Sequence, residues 1–155
     1  NIFQNYGEIR NYRKIVDTIV SERKNNEIKT SGDLKRILEP LSKSSEKNKF
    51  LAKVFQAIRI EVNDEINIIK SLLIQSSKIL KKGGRLVCIS YHSLEDRLVK
   101  RFIQNGTFEN DAISDIYGNK DLIFKKIGNL ISPDKEEVGL NNRSRSAKLR
   151  VAEKI

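Results

Sequence analysis

The sequence predicts an α/β fold, specifically the second half of a doubly wound domain preceded by helices, and three observations predict it. A helical period runs from Phe50 to Leu80 and stops at Lys81-Lys82-Gly83-Gly84. Arg85-Leu86-Val87-Cys88-Ile89-Ser90-Tyr91 is then a short, nearly continuous β-rich run, the pattern of a strand covered on both faces. A polar turn and a new helical pattern from Ser93 follow, and the order helix, glycine stop, buried strand, turn, helix is that of an α/β layer. One such strand and two later ones make an incomplete sheet, hence half of a doubly wound arrangement.

Each element has its own local reason. From Glu8 to Arg23, Ile9, Tyr12, Ile15, Val16, Ile19 and Val20 step by three and four and form one helical stripe, with Arg10, Arg13, Lys14, Asp17 and Ser21 opposite. After the polar break Lys24 to Lys29, Thr30 stands three residues before Asp33, an N-cap arrangement leading into Leu34, Ile37 and Leu38. Pro40 ends that short helix, and Leu41 to Lys49 is a Ser/Lys-rich connector expected to be mobile. In the long helical stretch the apolar positions are Leu51, Val54, Phe55, Ile58, Val62, Ile66, Ile69, Leu73 and Leu80, and Asn63-Asp64-Glu65 predicts a cap and restart, so two helices meet near Asn63. Lys81 and Lys82 give a basic last turn and the two glycines a stop. Ser93, with Asp96 three residues on, is expected to cap a helix whose stripe is Leu94, Leu98, Val99, Phe102 and Ile103. Asn105 to Lys120 is expected to be a loop. Leu122 to Ile127 and Ala147 to Lys154 read as strands, the latter alternating Ala147, Leu149 and Val151 against Lys148, Arg150 and Ala152. Between them lies a long polar connection containing Pro133.

Composition narrows the class. The 155 residues carry 30 Lys+Arg against 20 Asp+Glu, a net +10, which favours polyanionic partners: nucleic acid, acidic lipid or acidic protein. Charge of this size also serves solubility alone, so it does not choose among them. One Cys excludes an internal disulfide and fits a reducing, cytoplasmic setting. There is no signal-peptide pattern at the start and no run approaching the roughly 18 apolar residues of a membrane span. The absence of Met in a chain that opens Asn1-Ile2-Phe3 is read as a sign that it is part of a longer protein.

Three constellations are candidates for chemistry. Ser90-Tyr91-His92-Ser93-Leu94-Glu95-Asp96-Arg97 lies at the carboxyl end of the buried strand, where open α/β sheets place their ligands. His92 is the single His and is able to accept or relay a proton near neutral pH. The competing reading is structural: Ser93 caps the helix, Glu95 and Asp96 favour its positive end, and His92 is a satisfied turn residue. The run from Asn142 to Lys154 carries a net +4, and its Arg143, Ser144, Arg145, Ser146, Lys148 and Arg150 suit phosphate oxygens or, equally, a solvated hairpin. Arg59 and Asn63 sit one turn apart on one helix face, where a polar contact between helices competes with ligand binding. One Cys and one His make no zinc site of the usual kind, no phosphate-binding glycine loop occurs, and Ser93, His92 and Asp96 are too close in one turn to form a triad.

These residues closely resemble the hallmark of the ribosomal RNA small subunit methyltransferase H family, also called MraW. The resemblance is carried by Gly83-Gly84-Arg85-Leu86-Val87, Ile89 to Arg97 with Val99-Lys100-Arg101-Phe102, and Asn142 to Lys154. Tyr6-Gly7-Glu8 and Val54-Phe55-Gln56-Ala57-Ile58-Arg59 with Asn63 and Glu65 agree in order and spacing. Tyr91 stands where the family usually has Phe, and Asn142 is followed directly by Arg143 without the frequent Pro.

The resemblance implies a class I, Rossmann-like S-adenosylmethionine methyltransferase with a helical insertion, acting on the exocyclic N4 of a cytidine in the decoding region of bacterial small-subunit rRNA. Residues 1–60 would be part of the insertion, and 61–155 the closing half of the sheet, ending in an antiparallel hairpin. The family's cofactor motifs lie upstream, so no residue here is assigned to S-adenosylmethionine. His92, Ser93, Glu95 and Asp96 would form or brace the pocket wall, with His92 a proton acceptor. Arg97 would join that wall or meet RNA, Arg143, Arg145, Lys148 and Arg150 would grip rRNA phosphates or brace the core, and Arg59 and Asn63 would sit where insertion meets sheet. The expected partner is small-subunit rRNA. The alternative is a non-catalytic basic RNA-binding or ribosome-assembly module.

Overall fold

The computed structural model of the chain describes residues 1–109 and 122–155. From residue 110 on, the loop expected at Asn105 to Lys120 lies outside the described residues. The chain forms two compact units, residues 1–65 and 66–155.

The first unit is helical: α1 (Ile2–Asn5), α2 (Tyr12–Asn25), α3 (Ser31–Leu38) and α4 (Lys47–Val62), with 3₁₀ turns at Glu39–Leu41 and Ser44–Glu46. Ile15, Leu38, Leu51 and Val54 are its buried centre, with Phe3, Ile9, Ile19 and Leu34 packed around them. The stripe predicted from Glu8 is therefore real, but the helix starts four residues later. Glu8 takes a left-handed φ of 47°, and the Ile9 N–H donates to the Phe3 carbonyl at 3.2 Å, so Tyr6-Gly7-Glu8 is a turn that folds α1 back. Gly7 is required there, because a Cβ would sit 2.7 Å from the Phe3 carbonyl oxygen. Thr30 caps α3 as its spacing predicts, in a capping box with Asp33. The connector predicted at 41–49 instead holds a 3₁₀ turn and the start of α4, tied by a 2.9 Å ion pair from Lys47 to Glu39.

The helical stretch breaks where the sequence places it, with α4 ending at Val62 and α5 running Glu65–Ile79. Asp64 takes the left-handed φ of 51° that separates them.

The second unit continues with β1 (Arg85–Ser90), α6 (Ser93–Asn105), β2 (Phe124–Ile131), α7 (Lys135–Leu140), a 3₁₀ turn (Asn142–Ser146) and β3 (Lys148–Lys154). The sheet has the order β1-β3-β2. β3 is antiparallel to both neighbours, so β1 and β2 run parallel to each other on either side of it. The Gly-Gly turn prolongs this ladder: Gly83 N–H donates to the Lys154 carbonyl and Lys154 N–H to that of Gly84, each at 2.8 Å. Gly83 has the left-handed φ of 81° that the turn needs. β2 is longer than predicted and carries a bulge, since Ile127 pairs with Val151 but Ile131 with Leu149. Gly128, at φ 64°, lies within that bulge. The predicted polar connection contains a short helix, α7, because Asp134 accepts from the Glu137 N–H at 2.8 Å and caps it.

Leu73 of α5, Val99, Phe102 and Ile103 of α6, Phe124 and Ala152 form the core, with Leu86 and Cys88 of β1 against it. Phe102 stacks on Phe108 with centroids 5.0 Å apart. The expectation that β1 is covered on both faces is corrected here. Leu86, Cys88 and Ser90 face the helices, whereas Val87 and Ile89 are 56% and 57% exposed. Cross-strand neighbours share a face, so Val151 and Leu149, opposite Val87 and Ile89, lie on that same uncovered side. The alternation predicted for β3 is present, and it is Lys148, Arg150 and Ala152 that turn towards α6. Two of these are charged because α6 offers them Asp96. Among the described residues β1 is paired on one edge only.

Candidate functional site

His92, Glu95, Asp96, Lys148 and Arg150 converge at the carboxyl end of β1. Ser90 is buried, the chain emerges at Tyr91, and His92 is the N-cap of α6. The capping assignment differs by one residue from the predicted Ser93 with Asp96: His92 plays the Ser/Thr part and Glu95 closes the box. Glu95 Oε2 accepts from the Tyr91 N–H at 2.8 Å and the His92 N–H at 3.3 Å. His92 Nδ1 accepts from the Glu95 N–H at 3.4 Å, and Nε2 lies 3.1 Å from Glu95 Oε1. With Nδ1 accepting and a carboxylate beside Nε2, the proton of the neutral ring belongs on Nε2. Nδ1 is therefore occupied by the cap, while the buried Nε2 lies beside Glu95 Oε1 without hydrogen-bonding to it, and the imidazole must free Nδ1 from its cap to take a proton there.

Burial works to raise the Glu95 carboxyl, but the His92 ring and the Tyr91 N–H outweigh it and hold the group at about 2, below its ordinary 4.5. A carboxyl lowered by folding stabilises the fold above its unfolded value and loses that contribution as pH falls through its folded value. Urea unfolding of wild type and Glu95→Gln is thus expected to show a gap in stability at pH 7 that closes between about pH 4.5 and about pH 2. A gap that stays constant over that range would contradict the assignment.

Asp96 is displaced from capping because it is engaged elsewhere. Arg150 donates to it from Nε at 2.7 Å and from Nη2 at 3.0 Å, a two-pronged pair across 54 residues of chain. Lys148 Nζ lies 3.5 Å away. Burial pushes the Asp96 carboxyl up, and the hydrogen bonds and charge of Arg150, helped by Lys148, bring it below the ordinary 3.8. These contacts pin the first turn of α6 to β3. Ser93 and Arg97 are exposed on that same turn and the one after it.

The basic turn Asn142–Ser146 lies at the same end of the sheet, since Lys148, the first residue of β3, is paired with Ser90, the last of β1. Asn141 Oδ1 accepts from the Arg143 N–H at 3.1 Å, and the buried Ser144 donates its hydroxyl to the Asn141 carbonyl at 2.8 Å. Ser144 thus points inward and the flanking Arg143 and Arg145 point out. With Asn142, Ser146 and Tyr91 these arginines line an open depression of about 400 Å³.

Sequence reasoning identified most of these residues but not how they group. The structure joins Asp96, Lys148 and Arg150 in one ion cluster and places Arg143 and Arg145 beside Tyr91. In the first unit Arg59 pairs with Glu65 through Nε at 2.7 Å and Nη2 at 3.0 Å, and Asn63 Nδ2 donates to the same carboxylate at 3.3 Å. In the sequence Glu65 stands out only as part of a motif. Its spacing of six from Arg59 is not a helical contact spacing, and the pairing exists because the helix breaks between them. Asn141 is unassigned by the sequence, and Ser144, expected with its neighbours to suit phosphate oxygens, is instead buried against the Asn141 carbonyl; the Asn, followed two residues later by an N–H it accepts, is the one local signal.

The second unit thus gathers a histidine-capped turn and a basic turn at the carboxyl end of β1. The chain belongs to the MraW methylase family, whose model matches residues 1–155. It is similar to proteins named ribosomal RNA small subunit methyltransferase H. The one from Christiangramia forsetii is 56% identical over 154 residues, covering 99% of this chain and 51% of the relative. That from Flavobacterium johnsoniae is 54% identical with the same coverage. That from Cytophaga hutchinsonii is 50% identical over 149 residues, covering 96% of this chain and 50% of the relative. The chain thus spans about half the length of the curated relatives it matches. No described helix is long and apolar enough to cross a membrane.

Proposed function

We propose that this chain is the substrate-facing half of a cytoplasmic small-subunit rRNA methyltransferase, which in its full length uses S-adenosylmethionine to methylate N4 of a cytidine in the decoding region. The observation that carries the reading is the convergence of the His92 turn and the Arg143/Arg145 turn at one end of a sheet whose opposite face, Val87, Ile89, Leu149 and Val151, is apolar and uncovered. Such a face and the open edge of β1 suit the packing of further sheet and helices.

The described residues do not make a site for S-adenosylmethionine. Gly83-Gly84 is engaged in the ladder with β3 rather than cradling a ligand, and the carboxylates nearest the strand end, Glu95 and Asp96, are committed to a cap and an ion pair. The cofactor belongs to the remaining half. In this reading residues 1–60 are part of a substrate-recognition insertion and Arg59 and Asn63 stiffen its junction through Glu65. Asp96 and Arg150 brace the pocket wall, Arg143, Arg145 and Lys148 face rRNA phosphates, Ser93 and Arg97 lie on the wall's exposed side, and His92 receives the N4 proton once its ring leaves the cap.

Nucleoside mass spectrometry of small-subunit rRNA methylated by the full-length protein tests this. N4-methylcytidine is the expected product, and a methyl group on any other atom overturns the proposal. His92→Ala is expected to lower the rate about 10²- to 10⁴-fold, the span of general acid–base catalysis. His92→Asn separates the two roles, since Asn is a good N-cap without a titratable nitrogen. It should be as slow as His92→Ala; wild-type activity in His92→Asn would reduce His92 to a cap.

A further inference from the structure

Tyr91 has no part in the capping network except through its backbone. Its N–H is fixed by Glu95 Oε2 at 2.8 Å, yet the residue is 57% exposed. It shares the depression of about 400 Å³ with Asn142, Arg143, Arg145 and Ser146. The opposite wall is as firmly held as Tyr91, because Ser144 and Asn141 lock the turn that projects the two guanidinium groups. An aromatic ring presented on an anchored backbone beside two exposed arginines is the combination that binds unpaired nucleic acid: the ring accepts the face of a base, and the cations accept its phosphates. A folded duplex has no exposed base face to offer.

We infer that Tyr91 is a stacking platform for an unpaired nucleobase of the RNA, with Arg143 and Arg145 holding the adjoining phosphates. This rests on the rRNA reading above and assigns it a contact. Stacking needs the ring and not the hydroxyl, so Tyr91→Phe retains it and Tyr91→Leu does not. It is also uncharged, so its loss leaves the salt dependence of binding intact, whereas loss of a phosphate contact lowers that slope by about one.

The test is fluorescence anisotropy of the full-length protein with a labelled single-stranded oligoribonucleotide of the decoding-region sequence, over a range of salt concentrations. Tyr91→Leu is expected to weaken binding about 5- to 150-fold, the range that base–aromatic stacking supplies, with an unchanged salt slope. Tyr91→Phe should bind like wild type, and Arg143→Gln with Arg145→Gln should weaken binding and flatten the slope. S-adenosylmethionine affinity, unchanged in all variants, confirms that they fold. Wild-type binding by Tyr91→Leu, or a loss equal in Tyr91→Phe, would overturn the stacking role alone. A wild type that binds no RNA would overturn the platform and the rRNA reading together.

Discussion

Replacing Asp96 by Ala is expected to destabilise the second unit by about 3–5 kcal/mol, the cost of breaking a buried ion pair by removing one partner. Asp96 is 7% exposed and the Arg150 side chain 14%, so little solvent is at hand to take over when the carboxylate goes. The guanidinium would then keep its desolvation cost without its two hydrogen bonds, and Lys148 beside it would add repulsion. Against a typical stability of about 5–15 kcal/mol, such a loss removes much of the margin. Arg150→Ala should do comparable damage. The double replacement should cost clearly less than the two singles combined, because no orphaned charge remains. Urea unfolding of the four proteins checks this, and additive losses would show that the pair does not act as a unit. The stake is functional, since this pair joins the wall that carries His92 to the strand that follows the basic turn.

Ile89→Lys in the full-length protein is expected to cost several kcal/mol, as burial of a charge without a partner does. It should lower the unfolding temperature by many degrees. Within this chain Ile89 is 57% exposed, and by exposure alone the substitution would be harmless. The cost is expected because Ile89 lies with Val87, Leu149 and Val151 on one continuous apolar face. Leu140 on α7 is the control: it is 85% exposed and shares no such face. Leu140→Lys should therefore stay within about 0.5 kcal/mol of wild type. Thermal unfolding of both variants decides the matter, and equal tolerance of the two lysines would remove the reason to see the sheet as half of a larger one.

Local chemistry was largely legible in the sequence. Thr30 with Asp33, the break at Asn63-Asp64 and the strand after Gly83-Gly84 are each set by neighbours a few residues away, and the structure has them where the spacing places them. What the sequence concealed depends on partners far along the chain. Asp96 looked like a capping residue because Ser93 stood three positions before it; its actual partner, Arg150, is 54 residues on. With Asp96 taken, the cap falls to His92 and Glu95, and of the two readings the sequence offers for the histidine, a proton acceptor or a satisfied turn residue, the structure shows a ring held by its own helix. The continuous apolar run of β1 was read correctly as a strand, but its pairing on one edge and its bare face are properties of the sheet and not of the run. Arg143 and Arg145 were singled out by charge. Their alignment with Tyr91 needed the antiparallel register of β1 and β3.

Calorimetry with S-adenosylmethionine tests the central division of labour most directly. Titrated into the full-length protein, the cofactor is expected to bind. Titrated into residues 1–155, it is expected to give no submicromolar binding, because in the proposed function this chain supplies the RNA-facing wall and not the cofactor site. Submicromolar binding by these 155 residues alone would contradict the account.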